Sequence, residues 1–262
     1  MSFEAVIALW EKGTGAEVFV VTTSVAKLEA KDKEQFEKAM RLEDLRLKNG
    51  HYTAVWRPGK GGQFWQGGMT ANELEKVSAA QTNAGRRMHC ISYDDHQLAA
   101  VWRDGTGDQE WIVGEDIAKL KATDKKFAER GLRIHSISVD GGKVACVWRP
   151  GAGEYHWVTN ASAREMLDAG IAARKNGMAM VKLAVDDSGL SNQDGEWTAM
   201  WSKTTTRSTW ASMLASDVVA TVKRLGKKGF RLVGLGTWQY GDVGAVAPFA
   251  GEEDDGNGND ED

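Results

Sequence analysis

Residues 143–158 read KVACVWRPGAGEYHWV, two short apolar runs joined by a glycine-rich stretch, with a tryptophan on each run. The figure recurs as TAVWRPGKGGQFWQ at 53–66 and AAVWRDGTGDQEWIV at 99–113, with fainter copies AVIALWEKGTGAEVFVV at 5–21 and WTAMWSKTTTRSTW at 197–210. Trp10, Trp56, Trp102, Trp148 and Trp201 are each followed nine residues later by Phe19, Trp65, Trp111, Trp157 and Trp210. A symmetric two-stranded hairpin fits this spacing. Its turns fall on Thr14-Gly15, Lys60-Gly61, Thr106-Gly107, Ala152-Gly153 and Thr205-Thr206, four of the five ending in glycine as a positive φ requires. Each aromatic pair is then expected to face across its hairpin on one side of the sheet. The last copy has lost its glycines, so its loop is expected to take another conformation.

Outward from this figure, the first tryptophan advances by 46 residues three times and then by 53, the excess falling in the polar stretch DDSGLSNQDGEW at 186–197. Between the figures lie segments with apolar residues at three- and four-residue spacing, such as Ile117, Leu120 and Phe127, which predict helices over 23–40, 70–84, 116–130, 162–175 and 212–227. Thr70 with Glu73 fits a capping box, and Asn160 or Ser162 caps the fourth helix. Gly85, Gly131, Gly177 and Gly229 stand where a left-handed residue ends a helix, whereas the first helix lacks such a stop. A β-like run follows each helix at Arg41–Leu45, Arg87–Ile91, Arg133–Ile137, Met180–Ala184 and Arg231–Leu235. Lys48-Asn49-Gly50, Asp94-Asp95-His96 and Asp140-Gly141-Gly142 turn the chain into the next tryptophan strand.

The fold class this predicts is an α+β repeat protein of five ββαβ units, closed into a pseudo-five-fold α/β propeller. The chain opens on a tryptophan strand and ends with Val243-Gly244-Ala245-Val246, which reads as the start of a sixth, so a C-terminal strand is expected to complete the first unit. One repeat domain spans 1–249. The remainder, 250–262, is expected to be a disordered acidic tail, because Glu252–Asp262 carries seven acids and no base and has nothing to bury.

Charge and composition narrow the function. The formal net charge is −4, and the body without the tail is nearly balanced, unlike the basic footprint of a nucleic-acid binder. The chain shows no apolar run of membrane-spanning length, its opening residues do not read as a signal peptide, and its two cysteines, Cys90 and Cys146, read as buried free thiols in a reducing compartment, so a cytoplasmic address is expected. His89 and His135 occupy equivalent repeat positions, held elsewhere by Glu43, Val181 and Val233, and read as a repeat trait; no metal-ligand spacing and no cofactor motif is present. GKGG, GTG and GAG precede strands, not helices, and so are not phosphate loops.

The tryptophans read either as inter-unit core or as rims that stack on a ligand, with Arg57, Arg103 and Arg149 repeating a polar group beside them. Candidate ligand-binding residues are Trp56, Arg57, Trp102, Arg103, Asp104, Trp148 and Arg149. No catalytic set converges. The leading function is a non-catalytic recognition or scaffold module for a protein or peptide partner; the alternatives are a multivalent lectin, whose sugars would stack on tryptophan, and a cysteine-dependent enzyme.

The signature AVW-x-x-G-x-G-x-x-x-W, followed after a helix by G-[LFR]-R-[IL], resembles the tandem-repeat modules of bacterial proteins and of the N-terminal part of fungal polyglycine hydrolases, over roughly residues 1–249. It is also similar to the repeat region of plant casein-kinase-I-like kinases. In the hydrolases catalysis belongs to a separate β-lactamase-like domain, so the resemblance, which covers only the repeats, implies a repeat scaffold and no hydrolysis. Five ββαβ units also resemble the pentein arrangement. Active penteins use a cysteine with histidine and acidic partners in a central channel, a pattern that neither Cys90 nor Cys146 matches, so that resemblance implies only the protein-binding use of such a ring.

Overall fold

The structure is a computed structural model that describes residues 3–186, 196–203, 207–214, 217–240 and 250–251. Its N-terminal strand is β1 (Phe3–Lys12), and four units of one plan follow. Unit 1 comprises β2 (Val18–Thr22), α1 (Val25–Glu37), β3 (Met40–Lys48) and β4 (His51–Pro58). Unit 2 comprises β5 (Gln63–Met69), α2 (Ala71–Asn83), β6 (Arg86–Asp94) and β7 (Gln97–Asp104). Unit 3 comprises β8 (Glu110–Asp116), α3 (Ile117–Ala128), β9 (Leu132–Asp140) and β10 (Lys143–Pro150). Unit 4 comprises β11 (Tyr155–Ala161), α4 (Ala163–Lys175), β12 (Met178–Asp186) and β13 (Glu196–Lys203). Unit 5 begins with β14 (Ser208–Leu214), α5 (Val218–Lys227) and β15 (Phe230–Tyr240), and is joined by β16 (Ala250–Gly251).

Each of units 1–4 is a three-stranded antiparallel sheet with the tryptophan strand in the middle, in the orders β2-β4-β3, β5-β7-β6, β8-β10-β9 and β11-β13-β12. The expected tryptophan hairpins do not exist. Trp102 stands opposite Phe64 and Met88, whereas Trp111, in the next sheet, stands opposite Val147. The glycine stretch is a crossover that carries the chain from the middle of one sheet to the edge of the next. Turn geometry explains why: Gly61, Gly107 and Gly153 have φ of 85°, 91° and 93°, but the residue before each has no positive φ. A turn with a positive φ only at its second central residue is of type II, which splays strands instead of following their twist. The real hairpins lie between β3 and β4, β6 and β7, and β9 and β10. Both central residues there are left-handed, Asn49-Gly50, Asp95-His96 and Gly141-Gly142, as a type I′ turn demands. The structural unit is therefore βαββ, a shifted phase of the ββαβ order read from the sequence.

The helix ends follow local chemistry. Thr70 and Ser162 each form a complete capping box, with Glu73 and Glu165, and Gly85, Gly131, Gly177 and Gly229 are left-handed as expected. After α1, Ala39 takes that conformation at φ 55°. The fifth helix starts at Val218, because 208–214, part of which was expected to be helical, is strand β14.

The N-terminal strand pairs with the last unit. β1 inserts between β14 and β15 and supplies the middle strand of the last sheet, so the N-terminal strand completes the final unit. β3 contacts β6, β6 contacts β9, β9 contacts β12, β12 contacts β15, and β15 returns to β3. Seryl and aspartyl side chains lace these inner strands together: Ser92 accepts from Leu47 N–H, Ser136 from Ile91 N–H and Ser138 from Tyr93 N–H, at 2.8, 3.1 and 3.0 Å. Asp94, Asp140 and Asp186 accept from the preceding hairpin turns at Asn49, Asp95 and Gly141. The expected sixth strand at 243–246, the loop at 205–206, most of the 186–197 stretch and the acidic residues 252–262 lie outside the described residues.

Candidate ligand-binding site

Trp56, Trp102 and Trp148 are wholly enclosed at 0% exposure, so no indole face is open for a ligand to stack on. Their surroundings explain this. Trp56 Nε1 donates to Asp32 of α1 at 2.8 Å, and Trp65 Nε1, across the crossover in the next sheet, donates to the other oxygen of the same carboxylate at 3.1 Å. Asp124 of α3 repeats the clip, accepting from Trp148 at 2.9 Å, Trp157 at 3.0 Å and the Tyr155 hydroxyl at 2.5 Å. The two tryptophans of a figure are thus joined through a helix carboxylate at a unit boundary, not through a hairpin. Ser78 and Gly170 stand at the corresponding helix positions of units 2 and 4, and Trp102 Nε1 is enclosed without a hydrogen-bond partner.

The arginines divide into two sets. Arg41, Arg87, Arg133 and Arg231 begin the inner strands, and each donates to a carbonyl at the end of the preceding helix and through Nε to a crossover glycine, Gly61, Gly107, Gly153 and Gly15. Their stems lie flat over the crossover. A Cβ at Gly59 would sit 2.8 Å from Arg41 Cγ, so that glycine is required by close approach. The second set, Arg57, Arg103 and Arg149, follows the buried tryptophans, and each is half-buried and pairs across its sheet with an arginine of the first set or lies beside one. Arg103 reaches back to unit 1, donating to Leu42 O at 2.7 Å and to Glu43 at 3.3 Å. Arg57 and Arg149 reach the crossovers at Gly13 and Gly105 and make no hydrogen bond or ion pair among the described residues. Asp104 accepts from Gly62 N–H at 2.5 Å and is exposed at the rim, 3.5 Å from Arg86.

At the position of Arg57, Arg103 and Arg149, unit 4 has Ser202, and opposite it Ala179 replaces the first-set arginine. There the boundary between units 3 and 4 opens into a cavity of about 210 Å³, lined by Arg133, His135, Gly153, Tyr155, Lys182 and Ser202 among others. Lys182 also lines a cavity of about 130 Å³ among the inner strands, with Glu11, Glu43, Asp44, Arg46 and Lys48.

The inner strands aim their side chains here because each carries a β-bulge at one repeated position. The pairing register slips after Leu42, Met88, Met180 and Leu232 and at the equivalent point of β9, placing Glu43, His89, His135, Val181 and Val233 as the extra residues. His89 Nε2 lies 3.6 Å from Glu43, and its ring meets that of His135 edge-on at 5.4 Å between centroids. His135 Nε2 is enclosed and has no hydrogen-bond partner. Burial pushes both imidazoles towards the neutral form; for His135, with Lys182, His89 and Arg149 adding positive charge, the value falls to about 2. Burial pushes the Glu43 carboxyl up, but its contacts with His89, Arg103 and Lys182 outweigh that and hold it well below the carboxylate range. Glu11 is raised, chiefly by burial, against Lys182 and Arg57.

Burial disfavours the thiolate form of both cysteines. Cys90 is enclosed and pushed up to about 12, mainly by burial, and Cys146 is raised well above its ordinary value for the same reason.

Arg57 lies near Glu11 and Arg149 near His135; Glu11 and His135, with Lys182 and Ser202, are residues that sequence reasoning passed over as site residues. The signal was the repeat alignment itself: Ser202 departs from an arginine column, and Lys182 from a column of Asp44, Cys90, Ser136 and Gly234. No protein-family model matches the chain, and comparison with curated proteins finds no match. Among the described residues, no helix is long and apolar enough to cross a membrane.

Proposed function

We propose that the chain is a non-catalytic recognition module, a repeat scaffold of the tandem-repeat type closed as a pseudo-five-fold α/β propeller, that holds a protein or peptide partner on the face formed by its glycine crossovers. The return of strand contacts from β15 to β3 and the N-terminal strand within the last sheet support the closed ring. One observation carries the binding reading: Arg57, Arg149 and Lys182 are half-buried cations on or beside the crossovers, and none has an ion-pair partner among the described residues. Leaving charge partly desolvated and unpaired is costly unless a ligand of opposite sign completes it. Two enclosed free thiols suit a reducing, cytoplasmic setting. Affinity capture from extract of the source cell tests the reading, using the native chain and R57Q/R149Q. A macromolecule retained by the first and lost by the second supports it, and a native chain that retains nothing overturns it.

A glycan is the second reading, on one feature. Trp111 is half-buried without a hydrogen-bond partner among the described residues and lines an open groove with Glu75, Thr82, Asn83, Asp108 and Gln109, beside Ser78 where α1 and α3 carry Asp32 and Asp124. A partly open indole with neighbouring polar groups is the arrangement that stacks on a sugar face. Loss of glycan-array binding on Trp111→Ala would assign it.

A further inference from the structure

Resting on the recognition reading, we infer that the cavity between units 3 and 4 is a carboxylate site, which takes an acidic side chain of a peptide into the place an arginine fills at preceding boundaries. At the boundary of units 1 and 2, Arg103 occupies that place and is held by Leu42 O and by the Glu43 carboxylate. Cation and acid are both supplied by the chain, and the boundary is complete. At the boundary of units 3 and 4 the repeat positions drop that pair: Ser202 stands for the arginine and His135 for the glutamate, while Lys182 stands where unit 2 has Cys90. An internal ion pair has been replaced by an empty volume with a lysine at its wall.

The charged and polar groups that line this volume, or that lie near Lys182, are mostly engaged. Arg133 is spent on Gly153, Ala128 and Leu132 carbonyls, and Glu154 is paired with Lys203 at 2.7 Å. Tyr155 donates to Asp124. Glu43 is engaged by Arg103 and His89, and Glu11 lies near Lys182 without forming an ion pair. What is left over is the Lys182 ammonium, with no ion pair among the described residues, and the enclosed, unpartnered His135 Nε2. A carboxylate accepts from the ammonium and, when Nε2 carries the imidazole proton, from His135, so one ligand group satisfies both. The volume of about 210 Å³ is several times the share of one liquid water and admits a side chain's terminal group.

Acidic peptide can come from a partner or from this chain's own Glu252–Asp262, and the test separates the sources. The probe is a fluorescent peptide EEDDGNGNDED, followed by anisotropy at low ionic strength against two full-length chains: the native one, and one whose seven tail acids are changed to amides. The amide-tail chain is expected to bind. Equal affinity of the native chain assigns the site to partners, and binding weakened by its own tail assigns it to the tail. In the amide-tail background, Ser202→Arg is expected to weaken binding by at least about tenfold, although it adds positive charge, because the new side chain fills the cavity; Lys182→Met is expected to do the same. Thermal melts check that both variants fold. Unchanged or tighter binding by Ser202→Arg, or equal binding of a peptide with Gln and Asn at every acidic position, overturns the carboxylate site. So does failure of the amide-tail chain to bind any peptide, while partner capture that persists in such a case leaves the recognition reading standing.

Discussion

In unit 3, Arg133 and Arg149 stand opposite one another at the ends of β9 and β10; in unit 4 the same two positions hold Ala179 and Ser202. The helix of unit 3 offers Asp124 to three donors, where that of unit 4 has Gly170, whose missing side chain faces the Trp201 indole at 3.5 Å. The bulge residue is His135 in one and Val181 in the other. Backbone plan and strand register are nonetheless alike. Apolar packing around the central tryptophan therefore suffices to specify the unit, and the polar substitutions are free to determine what a boundary exposes.

The tryptophan itself is the most severe test of that view. Trp148 is fully enclosed, packs edge-on against Phe127 at 4.9 Å, and gives its N–H to Asp124. Trp148→Ala is expected to lower unfolding stability by about 3–5 kcal/mol in urea denaturation. Trp201 lacks that clip, so Trp201→Ala is expected to cost less. A larger loss at Trp201 would break the comparison.

Next in size is the clip. Asp124→Ala leaves the Trp148 indole N–H buried without an acceptor and releases Tyr155 and Trp157, for an expected loss of about 2–4 kcal/mol by the same measurement. Because Tyr155 and Trp157 belong to unit 4, the loss should be strongly non-additive with Trp157→Ala. Additivity would mean that the carboxylate stabilises only its own unit.

Acid separates the two bulge positions. The folded value of His135 lies far below its ordinary 6.5, so between the two the unfolded chain binds a proton that the folded chain refuses. That contribution is complete above pH 6.5 and is lost progressively as pH falls; His89 acts in the same direction, and Glu43, also depressed, adds a further loss below its ordinary 4.5. Urea midpoints of the native chain are expected to decline from pH 7 to pH 5. His135→Val, which copies unit 4, should flatten that decline while leaving neutral-pH stability unchanged or raised, since it removes an unpartnered buried nitrogen. A decline of equal slope would place the acid sensitivity elsewhere.

What the sequence made legible was local. The Thr70 and Ser162 capping boxes and the left-handed glycines after four helices depend on residues within a turn of one another. Sheet partners were not local in this sense. Trp56 and Trp65 are close in sequence and in space, yet they belong to different sheets, and spacing alone cannot distinguish a hairpin from a crossover. The distinguishing mark lay in the turn residues: Asn49-Gly50 and Gly141-Gly142 accept two positive φ values, whereas Lys60-Gly61 and Thr106-Gly107 suit only one. The site was hidden for another reason. Ser202 and Lys182 are conspicuous only once the repeats are aligned on their bulges and the arginine missing at Ser202 is seen to be a missing plug.

The smallest effect concerns the other arginine that unit 4 lacks. In units 1, 2, 3 and 5 the residue at this position donates to a carbonyl at its helix C-terminus: Arg41 to Phe36 at 3.3 Å, Arg87 to Thr82 at 3.5 Å, Arg133 to Ala128 at 3.1 Å and Arg231 to Gly226 at 3.0 Å. A cation there also meets the negative end of the helix dipole. Ala179 provides neither interaction for α4, at whose end Asn176 Nδ2 donates to Ala172 O at 3.1 Å. Ala179→Arg is expected to stabilise by about 0.3–1 kcal/mol, since Ala179 is half-buried beside Arg174 and a long side chain has an open course along the helix end. Salt should reduce the gain, because part of it is electrostatic at a solvated helix end. Destabilisation would show that the two arginines of a unit work only as a pair, each holding the crossover in the shape the other needs, and that unit 4 had to lose both together.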